Sequence, residues 1–201
     1  MGVLLIGCQS GGVGDPCTPE DEYQANFSGF DKGEVNIESR SYQCETRVCL
    51  VNHFQGRTTC PYGQSEGDIA KYPDNVNPAT RVHTNPDNHR CHIPGTTETV
   101  QVVVEPQVDK RQADTSVYCS CRCDGPDPNA KYCDCPSGFS CEPLVQDLGL
   151  GSGQLAGSYC VKDGTSWKPS TVVGVKCRYG AKKGEVGYCG NPDANGAGVN
   201  P

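Results

Sequence analysis

The chain has 201 residues, 15 of them cysteine, and a formal net charge of −7. Isoleucine, leucine, valine and phenylalanine contribute 35 residues, roughly 17%, which is below the ~20% expected of a domain with an ordinary core. These figures exclude a polytopic membrane protein, a coiled coil, a collagen and a basic nucleic-acid-binding protein, and the charge is too small for intrinsic disorder. They predict a small, disulfide-rich fold, mainly β, with short helices and long irregular loops.

An apolar stretch ending in Leu5-Ile6-Gly7-Cys8 opens the chain. It resembles the lipobox of bacterial lipoproteins, in which a peptidase cuts before the cysteine and acyl chains such as palmitate are then attached. The resemblance implies that residues 1–7 are a signal-peptide remnant and that Cys8 is lipidated. It also implies an exported protein held by its lipid on the periplasmic or surface face of the bacterial outer membrane, because no acidic residue comes directly after Cys8. The alternative is an apolar terminus with an ordinary cysteine.

Cysteine parity agrees with lipidation, since an odd count leaves one cysteine without a partner. The other fourteen can form seven disulfides, as expected in an oxidising compartment. They are Cys17, Cys44, Cys49, Cys60, Cys91, Cys119, Cys121, Cys123, Cys133, Cys135, Cys141, Cys160, Cys177 and Cys189.

The first predicted elements follow a Gly-rich stretch. Residues 8–16 are predicted to be the lipidated cysteine and a flexible tether. Thr18-Pro19-Glu20-Asp21 is typical of a helix start and predicts a helix through Phe27 that ends before Gly29. The apolar alternation in residues 34–38 and the apolar run at 47–51 each predict a strand.

The middle of the chain is rich in turn-forming residues. Residues 61–95 contain several Asn-Pro, Tyr-Pro and Pro-Gly pairs and predict an irregular loop. Residues 96–104 (TTETVQVVV) give the strongest strand prediction because they are rich in β-branched side chains. Residues 105–116 are polar and predict a linker or long turn.

The C-terminal part predicts a helical turn at residues 142–148, strands at 154–162 and 170–178, and a hairpin-like turn at 180–184. The Asn- and Gly-rich residues 191–201 predict a loose tail.

The cysteine distribution decides how many domains to expect. Five of the fourteen precede residues 105–116 and nine follow, so at least one disulfide should cross that segment unless a thiol stays free. We therefore expect a single disulfide-linked ectodomain over residues 17–190. The alternative is an ectodomain of two lobes, at residues 17–105 and 117–190.

The sharpest motif is Cys119-Ser-Cys121-Arg-Cys123 with Cys133-Asp-Cys135. Cysteines two apart rarely bond to each other, so we expect partners on different short strands. A zinc or copper(I) thiolate cluster is the alternative. Residues 133–141 partly resemble the end of an EGF-like module. With the lipobox, these cysteine motifs make the chain resemble uncharacterised cysteine-rich lipoproteins of myxobacterial type. This resemblance implies where the protein is located and what stabilises its fold, but no chemical activity.

Two sets of residues are candidate metal ligands. The alternative is that they are ordinary exposed residues of loops and turns. His83, His89 and His92 fall within ten positions, and imidazole suits zinc or copper. Oxygen-rich turns offer a weak calcium site, so calcium is the one cofactor considered. The oxygen ligands would be Asp124, Asp127, Asn191, Asp193 and Asn195.

The chain has no H-E-x-x-H, Walker or C-x-x-C motif. We therefore expect a non-enzymatic envelope lipoprotein with a structural or interaction role. Its expected partners are the membrane, through the lipid, and an envelope protein or glycan, with no nucleic acid. A calcium- or transition-metal-binding surface module is the alternative.

Overall fold

The computed structural model describes residues 11–71, 90–149, 154–168 and 174–189. The fold class is confirmed: the part of the chain in these ranges is mainly β, with two small antiparallel sheets, short helices and seven disulfides. The predicted signal remnant, most of the loop around His83 and the predicted tail lie outside the described residues.

The first sheet contains β1 (Val35–Glu38), β2 (Val48–Asn52) and β3 (Val117–Ser120), with β2 in the centre. The strands predicted at 34–38 and 47–51 are therefore confirmed. β2 is buried along nearly its whole length because Cys49 and Val51 pack with Phe54 in the first core cluster.

The second sheet contains β4 (Arg122–Asp124), β5 (Phe139–Val145) and β6 (Gly157–Lys162), in the order β4-β6-β5. The strand predicted at 154–162 is thus present but shorter. Tyr118 of the first sheet contacts Phe139 of the second, with ring centroids 5.7 Å apart, and its hydroxyl accepts a hydrogen bond from the Lys162 amide. The two sheets are joined by apolar contact as well as by the chain.

Within the described residues, three short helices complete the regular structure: a 3₁₀-helix at Glu20–Tyr23, α1 at Glu66–Lys71 and α2 at Ala113–Ser116. The helix predicted through Phe27 was too long. The helix ends at Tyr23 because Gln24 has an extended backbone, with φ of −100° and ψ of 130°. The Arg57 guanidinium then donates to the carbonyls of Glu22, Gln24 and Phe27, which lie at or beyond the end of this helix.

The strand predicted at residues 96–104 is wrong, since this segment makes only isolated bridges. Its hydrogen-bond partners come from separate places: Val100 donates its amide to the Cys91 carbonyl, and Gln101 donates to Ala25. The Gln64 side chain donates to the carbonyls of Val100 and Val102. No single neighbouring strand is available to pair with it, so high β-propensity is overridden by context.

The helical turn predicted at 142–148 is also wrong, because residues up to Val145 belong to β5. β5 is an edge strand, which tolerates Pro143 although proline has no amide to donate. Residues 174–178 of the strand predicted at 170–178 contribute one isolated bridge, Val108–Lys176, and residues 169–173 lie outside the described part.

The segment predicted as a linker, residues 105–116, is instead built into the fold. Gln107, Val108 and Arg111 are each buried. Gln107 exchanges hydrogen bonds with surrounding segments: its amide donates to the Pro61 carbonyl and its side chain to the Arg57 carbonyl. The polar composition of this segment suggested a linker, but the Gln107 and Arg111 side chains are buried and hydrogen-bonded.

The segment predicted as a flexible tether is bonded to the body of the protein from Gly11 onward. The Gly11 amide donates to the Gln43 carbonyl, and the Gly14 amide donates to the Cys119 carbonyl. The Asp15 carbonyl accepts a hydrogen bond from the Cys119 amide. Residues 11–16 thus lie along the first sheet.

Candidate functional site

The disulfide framework accounts for every cysteine from Cys17 to Cys189. Three bridges involve the N-terminal part, namely Cys17–Cys49, Cys44–Cys119 and Cys60–Cys91. The Cys44–Cys119 bridge spans residues 105–116, as parity predicted. The remaining bridges are Cys121–Cys133, Cys123–Cys141, Cys135–Cys160 and Cys177–Cys189.

Sulfur atoms crowd together in the second sheet. The Sγ of Cys160 lies 3.5 Å from that of Cys121 and 3.8 Å from that of Cys133, although neither pair is bonded. Within the described residues, groups of three potential metal ligands within 4.8 Å of one another consist of cysteines alone. Each of these sulfurs is bonded to another sulfur, and a disulfide is not the thiolate that binds zinc or copper(I).

Only one histidine of the predicted cluster belongs to the described residues. His83 and His89 lie outside the described residues, and His92 is buried, with an isolated bridge to Thr99.

The predicted oxygen-rich site divides in the same way. Asn191, Asp193 and Asn195 lie outside the described residues. The carboxylate of Asp124 accepts from the Gly125 amide and that of Asp127 from the Asn129 amide, which are local turn contacts.

Buried arginines are a feature that sequence reasoning missed. Arg57, Arg90 and Arg111 are each at most 4% exposed, although arginine is rarely buried. Beside Arg57 lies fully buried Glu22, whose carboxylate accepts from the Thr58 and Thr59 amides. Burial raises the pKa of Glu22, while these hydrogen bonds and Arg57 act in the opposite direction.

Arg111 binds two parts of the molecule together. Its guanidinium donates to the carbonyls of Asn52 and His53 at the end of β2 and to the carbonyl of Thr165 after β6. Burial lowers the pKa of Arg111, yet an arginine stays protonated at neutral pH. Within the described residues Arg111 forms no ion pair, so its charge is buried against carbonyl dipoles without a counter-charge.

An aromatic stack accompanies this arginine. The His53 and Trp167 rings are nearly parallel, with centroids 4.5 Å apart, and the Arg111 guanidinium lies 5.5 Å from the Trp167 centroid. The backbone of His53 is left-handed, with φ of 50°, and its Nδ1 donates to the Lys32 carbonyl. Burial, followed by the charge of Arg111, lowers the pKa of His53.

A cavity of about 440 Å³ opens beside Arg111. All its charged lining residues are cationic although the whole chain has a net charge of −7. The lining residues are Lys110, Arg111, Thr115, Gly164, Thr165, Ser166 and Lys168. We call this the Arg111 cavity. A second cavity, of about 410 Å³, is lined mainly by Tyr62, Tyr179, Tyr188, Lys182 and Lys183.

Comparison with known proteins gives no match: no protein-family model fits the chain, and neither a curated protein nor a solved structure is similar to it. Among the described residues, no helix has the length and apolar character needed to cross a bilayer.

Proposed function

We propose that this protein is an exported bacterial lipoprotein, anchored through Cys8 to the outer membrane and carrying a disulfide-stabilised ectodomain. Its role is structural or interactive rather than catalytic. The observation that carries the proposal is the complete pairing of the fourteen cysteines from Cys17 to Cys189. Each has its partner within that set, so Cys8 of the lipobox-like sequence has no cysteine of this chain left to pair with.

The redox argument points to the same compartment. Fourteen cysteines joined in disulfides are unusual in a reducing cytosol and common in exported proteins. Each bridge typically stabilises a fold by about 2–4 kcal/mol, which offsets the small aliphatic core.

The proposal is tested by producing the protein from its full gene in a bacterial host, next to a Cys8→Ser variant. We expect the wild type to enter the detergent phase on phase partitioning and the variant to stay in the aqueous phase. Intact mass should show a lipid-sized increment that is absent from Cys8→Ser. Reduction should add fourteen hydrogens to both proteins, two for each disulfide. A wild type that stays in the aqueous phase with no added mass would overturn the anchor.

A further inference from the structure

We propose that the second cavity, which lies between Tyr62 and the loop closed by the Cys177–Cys189 bridge, binds a phosphate monoester carried on a ring-shaped molecule. We call it the tyrosine cavity. This site is independent of the lipid anchor and would hold whether or not Cys8 is acylated. It identifies the chemistry of a ligand, which the proposed structural or interaction role leaves open.

The loop that forms one side of the cavity is fixed to the rest of the fold. The Cys177–Cys189 disulfide closes it. The Cys189 amide donates to the Tyr62 hydroxyl, and the Gln112 side chain donates to the Tyr188 carbonyl. Because these contacts hold the loop before a ligand arrives, little conformational entropy is lost on binding.

Two neighbouring cations line the cavity. Lys182 and Lys183 are both exposed, and within the described residues neither ammonium group forms a hydrogen bond or an ion pair. The one carboxylate of the loop, that of Glu185, accepts from the Lys182 amide. Arg178 adds a third exposed positive charge to the loop, in a chain with a net charge of −7. A phosphate monoester carries roughly 1.5 to 2 negative charges at neutral pH, which matches the adjacent pair of lysines.

Tyr188 contributes an uncharged donor to the same cavity. Its side chain is partly buried, and within the part of the chain that the structure describes its hydroxyl forms no hydrogen bond. A phenol can donate that hydrogen to a phosphate oxygen, and hydrogen bonds to a charged acceptor are the stronger kind. Two charged donors and one neutral donor therefore favour an oxyanion over an uncharged ligand.

The aromatic wall indicates a ring next to the phosphate rather than a bare ion. The Tyr62 and Tyr179 rings meet edge to face, with centroids 5.7 Å apart, and Tyr179 is 53% exposed. Inorganic phosphate would leave this aromatic surface in water, whereas a ring-shaped ligand can pack against it. A volume of about 410 Å³ is within the range of small-ligand sites.

The experiment titrates the full chain with phenyl phosphate and follows the heat of binding. Inorganic phosphate and phenol serve as probes with only the charge or only the ring. We expect phenyl phosphate to bind, each of the two partial probes to bind about tenfold more weakly or not at all, and added salt to weaken binding by screening the lysines. Labelling with an amine-reactive reagent, read by mass spectrometry, should show that phenyl phosphate protects Lys182 and Lys183.

The same chemistry occurs in soluble esters and in lipid headgroups, and vesicles distinguish the two sources. Phosphatidylcholine vesicles are compared with and without phosphatidylinositol 4-phosphate, whose headgroup carries a phosphate monoester on a ring. Binding only to vesicles with the phosphorylated lipid indicates a headgroup, and binding of phenyl phosphate without vesicle binding indicates a soluble ester.

Paired variants separate the cavity from general charge. Lys182→Ala with Lys183→Ala should weaken phenyl phosphate binding about tenfold, a change of ~1.4 kcal/mol. Lys32→Ala with Lys131→Ala, two exposed lysines outside the lining, makes the same change in net charge and should leave binding unaltered.

Tyr188→Phe keeps the ring and removes the hydroxyl donor, and it should weaken binding about threefold, the usual effect of one hydrogen bond. Equal weakening in both double lysine variants would overturn the site. So would inorganic phosphate binding as tightly as phenyl phosphate, or no binding of either phenyl phosphate or the phosphorylated vesicles at millimolar ligand concentration.

Discussion

Buried arginine side chains replace hydrogen bonds that regular secondary structure would supply elsewhere. Arg57 satisfies three carbonyls next to the 3₁₀-helix, and Arg111 satisfies three carbonyls contributed by two segments. Buried carbonyls need donors, and the planar guanidinium offers five. Sequence reasoning could not single out these arginines, because nothing local distinguishes them from exposed ones such as Arg40.

His53 leads to a prediction about pH. Its pKa is lowered in the fold, so the charged ring is disfavoured there relative to the unfolded chain, where the pKa is about 6.5. Its contribution to stability is therefore full above pH 6.5 and is lost as the pH falls below that value. We expect the urea midpoint of the wild type to fall between pH 7.5 and pH 5.5 by more than that of His53→Asn.

Asparagine is the matched replacement because it tolerates the left-handed backbone of residue 53, and its side-chain amide can donate to the Lys32 carbonyl. Loss of the stack on Trp167 lowers stability equally at both pH values, so only the difference between them is informative. Equal pH dependence in the two proteins would contradict the prediction.

At the level of elements, the strands and helices are short and are held by contacts from distant segments. The alternating or apolar stretches that became β1, β2 and β6 were predictable because each pairs with a neighbouring strand. Residues 96–104 have the same composition but bond to several segments, which no local pattern reveals. At the start of α1, Ser65 and Asp68 cap each other, and this Ser-x-x-Asp pattern is visible in the sequence.

Gly157 gives a prediction at this scale, at the start of β6 where it faces β4. Its φ is 136°, and a Cβ there would lie 2.1 Å from the Asp124 carbonyl oxygen. Gly157→Ala should therefore lower the free energy of unfolding by at least about 3 kcal/mol, through backbone strain and a clash that forces β4 away. Urea denaturation under non-reducing conditions measures it.

Gly164→Ala is the matched control, since Gly164 also has positive φ, of 80°, but no heavy atom lies within 4 Å of its added Cβ. It should cost only about 1 kcal/mol, the strain alone. An equal loss of stability in the two variants would contradict the explanation that the close approach of β4 makes Gly157→Ala more costly.

For the whole molecule, the disulfides set the long-range order. The disulfide-rich class followed from composition, because so few aliphatic residues cannot form a large core, and the mainly β character followed from the strand-like segments. The pairing did not follow, since cysteine spacing leaves very many connectivities open. The Arg111 cavity was equally out of reach, because Lys110 and Lys168 are 58 positions apart and meet only through the fold.

Two bridges of different loop length should contribute differently. Cys44–Cys119 closes a loop with a sequence separation of 75, and Cys177–Cys189 one with a separation of 12. By the chain-entropy relation, removing the first with Cys44→Ala and Cys119→Ala should cost about 4–5 kcal/mol, and removing the second in the same way about 3 kcal/mol. Urea denaturation of the two double variants tests this order, which a reversed ranking would contradict.

The bonding of Gly11 to Gln43 determines how high the ectodomain can stand above a membrane. Cys8 and Gly11 are three positions apart, and even a fully extended chain spans only about 11 Å over that distance. A lipid on Cys8 would therefore hold the domain against the headgroups rather than at the end of a stalk. Beside Gln43, Tyr42 is 83% exposed, with Arg47 over its ring. An aromatic ring and a cation would then lie close to the lipid headgroups.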